Sequence, residues 1–480
     1  MSRRRVVLIE FNELCPTLLD RWIDEGLLPN FKRFRNGSNT FVTMADEVEA
    51  PNLEPWIQWY SLHTGLSYDQ HGVFHLTNGP NAGHEDIWQY LARRGFRVGN
   101  FGSMNAGPHG ASSGFYVADP WCAEQPSIPS DLQVFQSFVA KNVREYTNQN
   151  KLNNIVEALS FAFFMTRHGL KLQTLLQFAE RLVAERTYDK DSQWKRATLL
   201  DLLQSDVFFN LLKRSDYDFV TFFSNSTAHF QHAYWRHMDP VPFLIKPSEE
   251  ELARYGGAIL YGYQQMDRLL ERFFALEGRG YTLILASALS QQPFVRGDES
   301  GGQRFYRPKD VHSLLEKLNI RPDSIEPTMT NQFMLRCAPS DISRIRAALL
   351  GVKYDGVPIF GITEAADEGI YFGCSLRQIV PADAILTFGD GSQVIDFYDN
   401  FYLIDGLKSG RHHPDGVFWL KTNSYRRNEG RVSILDVFPT LVELVAGSAS
   451  GYEIAEDGNG RTGRSLLTNI QGSDVAAAAE

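Results

Sequence analysis

Five runs in this chain are largely apolar from end to end: residues 5–11 (RVVLIEF), 97–101, 218–223, 281–286 and 416–420. A strand with one wet face alternates polar and apolar residues, so these runs predict strands covered on both faces. Helical patterns fill the spaces between them, at residues 17–25, 86–94, 249–276 and 434–444. Strand and helix in alternation predict an α/β fold built on a doubly wound, mainly parallel sheet. Such sheets place their working residues at the carboxyl ends of the strands. The first run ends in Asn12 and Glu13.

Two segments break the alternation. Residues 130–214 carry almost no strand signal and several amphipathic runs, and they read as a helical cap or insertion over the site. The apolar face SFAFFM within them is assigned to internal packing, a membrane or partner surface being the competing reading. The second segment, residues 331–405, holds FMLRC, a helix at 340–350, then GVPIFGITE, YFGC and AILTF, the pattern of a small α+β subdomain. The expected organisation is a core in three parts (1–129, 216–330 and 406–470), a cap at 130–215, the subdomain at 331–405 and a tail at 471–480.

Charge and cysteine usage narrow the partners. With 47 basic and 57 acidic residues the chain carries −10, which argues against a nucleic-acid partner and leaves small phosphorylated molecules open. The basic start MSRRR is followed by too short an apolar run, interrupted by Glu10, for a leader or a membrane span. Cys15, Cys122, Cys337 and Cys374 are widely spaced, with no zinc or disulfide pattern. Cys15 has no basic neighbour in sequence and reads as buried rather than nucleophilic. A cytoplasmic protein is the expectation.

The stretch 49–74, EAPNLEPWIQWYSLHTGLSYDQHGVF, predicts a helix opening after Pro55, a stop at Thr64-Gly65 and a turn at His71-Gly72. With it stand four further islands in order: VVLIEFNELCPTLLDRWIDEGLLPNFKRF, DFVTFFSNSTAHFQHAYWRHMDP, GYTLILASALSQQP, and GRHHPDGVFWL followed by ILDVFPTLVEL and GRTGRSL. Together these resemble the alkaline phosphatase superfamily, in its type I phosphodiesterase/nucleotide pyrophosphatase branch. The resemblance covers about half the chain and nearly its whole core.

That resemblance implies two metal ions about 4 Å apart that activate a Thr or Ser nucleophile toward phosphorus. Position by position, this chain departs from it. The metal-binding Asp-Gly after the first strand is replaced by Asn12-Glu13. The nucleophile position, one helix length before the T-G, falls at Glu54-Pro55, and no Ser or Thr occurs between Thr43 and Ser61. The Asp-x-x-x-His pair maps to Ala228 and His232, and the Ser-Asp-His-Gly to Ser287-Ala288-Leu289-Ser290. The last metal histidine maps to His412. Of the implied metal set only His232 and His412 remain, and two imidazoles do not hold a dinuclear zinc centre. The expectation is therefore no cofactor, or one divalent ion on His232 and His412.

What stands in the implied pocket is Asn12, Glu13, Glu54, Trp56, Gln58, Trp59, His229, His232, His412 and His413, with Ser103 and Asn105 from the loop after the second strand. Carboxylate, imidazole and amide suit general acid–base chemistry, and tryptophan faces suit a sugar ring. Glu54, Glu13, His232 and His412 are the candidate catalytic groups and the others candidate substrate contacts. Each also has a plain reading: Trp56 and Trp59 as core, Glu54 as an acid at a helix start, Asn12 and Glu13 as caps of the next helix, His71 as a turn brace.

Three functions follow. The first is a metal-poor or metal-independent enzyme acting on a phosphorylated or nucleotide-activated sugar by hydrolysis or group transfer. The second is an inactive homologue serving as a ligand-binding or assembly component in glycan biosynthesis. The third is a conventional two-metal phosphodiesterase with ligands drawn from Glu10, His237, Asp239 or Asp415.

Overall fold

The computed structural model describes residues 4–144, 155–190, 192–328, 331–365, 369–388, 393–404, 406–422, 424–447 and 460–469. The expected tail at 471–480 lies outside them. At the centre is an eight-stranded sheet of β1 (Arg5–Phe11), β2 (Ser38–Met44), β3 (Val98–Phe101), β4 (Phe115–Val117), β5 (Phe219–Ser224), β6 (Tyr281–Ser287), β9 (Asp415–Lys421) and β10 (Arg426–Ser433). Two short strands, β7 (Ser290–Pro293) and β8 (Gly410–His413), form a separate ribbon. The sheet order is β10-β2-β9-β6-β1-β5-β3-β4.

β1 lies in the middle, parallel to both β5 and β6. β9 pairs antiparallel with both of its neighbours, β2 and β6, while the other pairings of the sheet are parallel. The fold is thus mixed α/β with a mainly parallel sheet, as the alternation of apolar runs and helical patterns predicts.

The two-residue period of β1 shows why its run is apolar throughout. Val7, Ile9 and Phe11 enter one apolar cluster, with Leu18, Trp22, Phe31 and Tyr263. Val6 and Leu8 enter the other, with Trp59, Leu62, Trp88, Phe438 and Leu441. A strand buried on both faces has no position for a solvated residue. Glu10 follows the register of Val6 and Leu8 and needs a buried partner.

The helices that matter here are α1 (Pro16–Asp24), α2 (Pro55–Thr64), α3 (Gln133–Arg144), α4 (Ile155–Arg167), α5 (Leu172–Thr187), α6 (Leu199–Arg214), α7 (Ser226–Met238) and α8 (Ala258–Phe273). α1 and α2 each begin with proline at the first turn, where its missing N–H costs no hydrogen bond. α2 ends on Gly65 at φ 68°, a left-handed cap that glycine adopts without strain. The predicted helix at 249–276 is instead a short helix, Glu249–Tyr255, then α8, with Gly256-Gly257 at the break.

Between β4 and β5 the described residues hold the helices α3 to α6, in keeping with the lack of strand signal there. They pack on one face of the sheet, where Phe135 and Phe208 meet Phe101, and Phe208 also meets Phe115 and Phe222. The SFAFFM run divides: Phe161, Phe164 and Met165 are buried, whereas Phe163 is exposed with Val156 and Leu159.

The insertion between β7 and β8 holds two four-stranded sheets and the helix Pro339–Leu350. Its apolar cluster already includes Tyr306, Leu314, Leu315 and Ile320. The expected boundary at 331 therefore falls inside a packed unit. The strand Ser324–Pro327 pairs with Gln332–Arg336, and its short, proline-ended sequence gives little strand signal.

Candidate active site

β1 delivers Asn12 and Glu13 just beyond its carboxyl end, and β5 feeds Asn225 and α7 from the adjacent position. Glu13 has φ 62°, in the left-handed region that only a few per cent of non-glycine residues occupy. The turn is fixed from several sides. Asn12 N donates to Ser224 O (2.9 Å), Leu14 N to Ser287 Oγ (3.0 Å), Cys15 N to Tyr263 Oη (2.7 Å), and Gln231 Nε2 to Glu13 O (2.7 Å). A backbone held so firmly in an unfavoured conformation marks a functional turn.

Three side chains converge here. Glu13 is buried, and its carboxylate faces two imidazoles: His232 Nε2 lies 3.3 Å from Oε2 and His412 Nε2 3.6 Å from Oε1. Each imidazole is oriented through its other nitrogen. His232 Nδ1 meets Gly410 O at 3.2 Å, and His412 Nδ1 meets Leu53 O at 2.9 Å. A carbonyl only accepts, so both rings carry a proton on Nδ1 and turn Nε2 toward Glu13. The two rings are 5.2 Å apart and nearly perpendicular.

β7 and β8 complete the cluster, because their antiparallel register sets Gln291 opposite His412. Gln291 Nε2 donates to Glu13 Oε2 and to Ala228 O. Asn12 Nδ2 donates to Glu13 Oε1 (3.2 Å) and to Asn225 Oδ1 (2.8 Å), while its Oδ1 accepts from Trp59 Nε1 (2.7 Å). Glu54 occupies the N-cap position of α2 without bonding the helix N–H groups, and places Oε2 3.3 Å from His412 Nδ1.

The electrostatics separate the two carboxyls. Burial alone would raise Glu13, but attraction to His232 and His412 more than offsets it and holds the group at about 2. Burial pushes Glu54 up to about 8, against the pull of Lys408 and with a contribution from the Glu13 charge. His412 is pushed down to about 4 by burial, against the attraction of Glu13. One carboxyl is thus ionised and the other protonated at neutral pH, the arrangement that assigns acid and base roles.

Among the described residues, Glu13, His232 and His412 form the one cluster of three metal-capable groups, with ligand atoms all within 4.8 Å of one another. Glu10, His237, Asp239 and Asp415 do not join it. Glu10 is bound to His63, and Asp415 to Arg431. The donor set does not fit a dinuclear centre. It fits a single divalent ion: two imidazoles and a carboxylate, each ring fixed by a hydrogen bond from its remote nitrogen. A neutral His412 facing an ionised Glu13 sets two acceptors against each other, an arrangement that a cation between them relieves.

The chain matches the type I phosphodiesterase / nucleotide pyrophosphatase family over residues 6–300. It belongs to that family. That family's fold is one of a superfamily of phosphoryl-transfer enzymes. No curated protein matches its sequence. Similar solved structures include phosphonoacetate hydrolase from Sinorhizobium meliloti 1021 in complex with phosphonoacetate. It is 14% identical, with 93% of this chain and 96% of that chain covered and a TM-score of 0.39. Murine ectonucleotide pyrophosphatase / phosphodiesterase 5 is 11% identical, with 92% and 95% covered and a TM-score of 0.38.

At the end of β6 stands the segment Ser287-Ala288-Leu289-Ser290. Here Ser287 Oγ accepts from Leu14 N and donates to Leu289 O, and Ala288 and Leu289 are buried. The segment has become a backbone brace.

Several expected site residues are elsewhere employed. Trp59 is fully buried and acts on the site only through Asn12. Trp56 Nε1 donates to Phe74 O, and Gln58 Oε1 accepts from Asp46 N, so both pin loops. Ser103 lies beneath the site, donating to Glu10 Oε2 (2.7 Å). Asn105, at φ 57°, bonds Gly79 N and the carbonyls of Trp56 and His75. His413 Nδ1 accepts from Asp415 N, bracing the turn into β9. His229 is pushed down to about 4 by burial, with His232 adding. Sequence reasoning missed Gln291, Gln231 and Asn225. All three stand inside quoted motifs, and cross-strand pairing of QQP with GRHH is the signal that points to Gln291.

Proposed function

We propose that the protein is a metal-poor phosphoryl-transfer enzyme that hydrolyses or transfers the phosphate ester of a phosphorylated or nucleotide-activated sugar. One divalent ion would be held by Glu13, His232 and His412. The observation that carries the reading is the shared orientation of the two imidazoles, both with Nδ1 on a backbone carbonyl and Nε2 on Glu13.

When bound, such an ion supplies Lewis-acid polarisation of a phosphoryl oxygen. The chain's own residues do the rest. Glu54, at the position where the family's resemblance implies a hydroxyl nucleophile, carries a proton near neutral pH and serves as general acid to the leaving oxygen. His412 touches both carboxyls and holds Glu54 relative to Glu13. Gln291 and Asn12 hold the Glu13 carboxylate and Gln231 its backbone carbonyl, so that the group need not reorganise during reaction.

A cytoplasmic, biosynthetic setting suits a sugar-phosphate substrate, and the inactive-homologue reading is the outcome the assay separates. The test is turnover of a panel of sugar phosphates, nucleotide sugars and simple phosphodiesters, by protein purified without chelator and by Glu54→Gln. Turnover lost in the variant supports the reading. Equal turnover by both, or ligand binding with no turnover of any compound, overturns it.

A further inference from the structure

Among the described residues, three cations at the border between the sheet edge and the inserted subdomain form no ion pair. Lys408 precedes β8, Arg304 precedes the strand Phe305–Pro308, and Arg377 follows the strand Gly369–Cys374. Backbone bonds set them side by side: Lys408 N donates to Gln303 O (3.1 Å) and Arg304 N to Arg377 O (2.9 Å). All three are half-buried.

Their side chains are poorly matched by the protein. Arg377 Nη1 makes one hydrogen bond, to Cys374 O (3.1 Å), and its guanidinium lies over Phe305. Lys408 Nζ lies 4.9 Å from the Phe294 ring centre, and Arg304 Nε is buried with no partner. Among the described residues none of the three forms an ion pair. Other buried or half-buried arginines of this chain do: Arg236 with Asp298, Arg272 with Asp206, Arg35 with Asp20 and Asp24. Partly desolvating a cation without an ion-pair partner is costly, and Lys408 and Arg377 repel one another.

Their position gives the cost a use. Lys408 directly precedes Ser409, whose N donates to His232 O (3.0 Å), and Gly410, whose carbonyl orients the His232 ring, so the group adjoins the site described above. One guanidinium bearing free fork donors and one ammonium beside it are what a phosphate or carboxylate binds.

We propose that Lys408, Arg304 and Arg377 form an anion subsite that takes a second, non-reacting phosphate or carboxylate of the substrate. This rests on the reading of Glu13, His232, His412 and Glu54 as the reacting centre. It narrows the substrate class to compounds with two separated anionic groups, and it makes the inserted subdomain a specificity element.

The experiment is calorimetric titration of the full chain with glucose 1-phosphate, glucose 1,6-bisphosphate and 3-phosphoglycerate, the last two offering a second phosphate or a carboxylate. The wild type is expected to bind at least one of these two about tenfold or more tighter than glucose 1-phosphate, the scale of one charge-assisted pair. Lys408→Met/Arg304→Met is expected to lose that preference, and Lys408→Arg to keep most of it. If the double variant misfolds, Lys408→Gln alone carries the test, with a partial loss expected. An equal preference in wild type and variants, or none in the wild type, overturns the subsite. His232→Ala/His412→Ala separates the two readings: unchanged affinities there count against the reacting centre while leaving the preference, and so the subsite, standing.

Discussion

The His412 imidazole joins two carboxyls of opposite character: Nε2 lies 3.6 Å from Glu13 Oε1 and Nδ1 3.3 Å from Glu54 Oε2. Glu13 belongs to the end of β1 and Glu54 to the start of α2, while His412 arrives from β8, more than three hundred residues later in the chain. Burial and the neighbouring charges hold the first at about 2 and push the second up to about 8. One imidazole thus connects a group fit to bind a cation with a group fit to give up a proton.

Replacing Glu54 by Gln removes the proton donor and keeps the shape. Turnover should fall by about 10²–10⁴-fold, the range of a general acid, with metal content and melting temperature little changed. Steady-state kinetics with metal analysis check this.

Gln291 acts through Glu13, to which it donates across the β7–β8 ribbon. Gln291→Leu should weaken metal affinity by about 10–100-fold, as loss of a group orienting a ligand does. A competition titration against a chromophoric chelator reads it directly.

The fold and the site were unequally legible. β1, β5, β6 and β9 announce themselves because burial on both faces demands apolar residues at every position. β2 and β10 do not. SNTFVTM is half polar, and RRNEGRVS is an edge strand whose charges guard its open side. Glu13, Glu54, His232 and His412 are reached from their places in motifs. Trp59 and Ser103 were read as substrate contacts because sequence shows which loop or helix holds a residue, not which way its side chain turns. Gln291 depended on a register closed across the whole inserted subdomain.

Beneath the site, Glu10 Oε1 and His63 Nε2 are 2.7 Å apart and fully buried, and His63 stacks on Trp59. His63→Leu leaves the buried carboxyl with Ser103 alone. It should cost about 3–5 kcal/mol, the range for breaking a buried pair, and Glu10→Leu/His63→Leu should cost less. Urea denaturation of the three proteins tests this order.

Asp201 is buried on α6, accepts from Ser224 Oγ (2.7 Å), and is pushed up to about 7 by burial, with hydrogen bonds from Ser226 and Ser224 opposing. A folded value above the unfolded one means the folded state binds more protons. The contribution is therefore fully present below about pH 4 and is lost as pH rises through about 7. Asp201→Asn should flatten that decline, gaining about 1–3 kcal/mol relative to wild type at pH 8. Stability measured from pH 5 to pH 8 shows whether the two curves converge toward acid.

The most direct test of the account is the metal content of protein purified without chelator, wild type beside His232→Ala/His412→Ala. The account requires about one zinc or manganese ion per chain, lost in the double variant. Two ions per chain, or an ion that survives loss of both imidazoles, would contradict it.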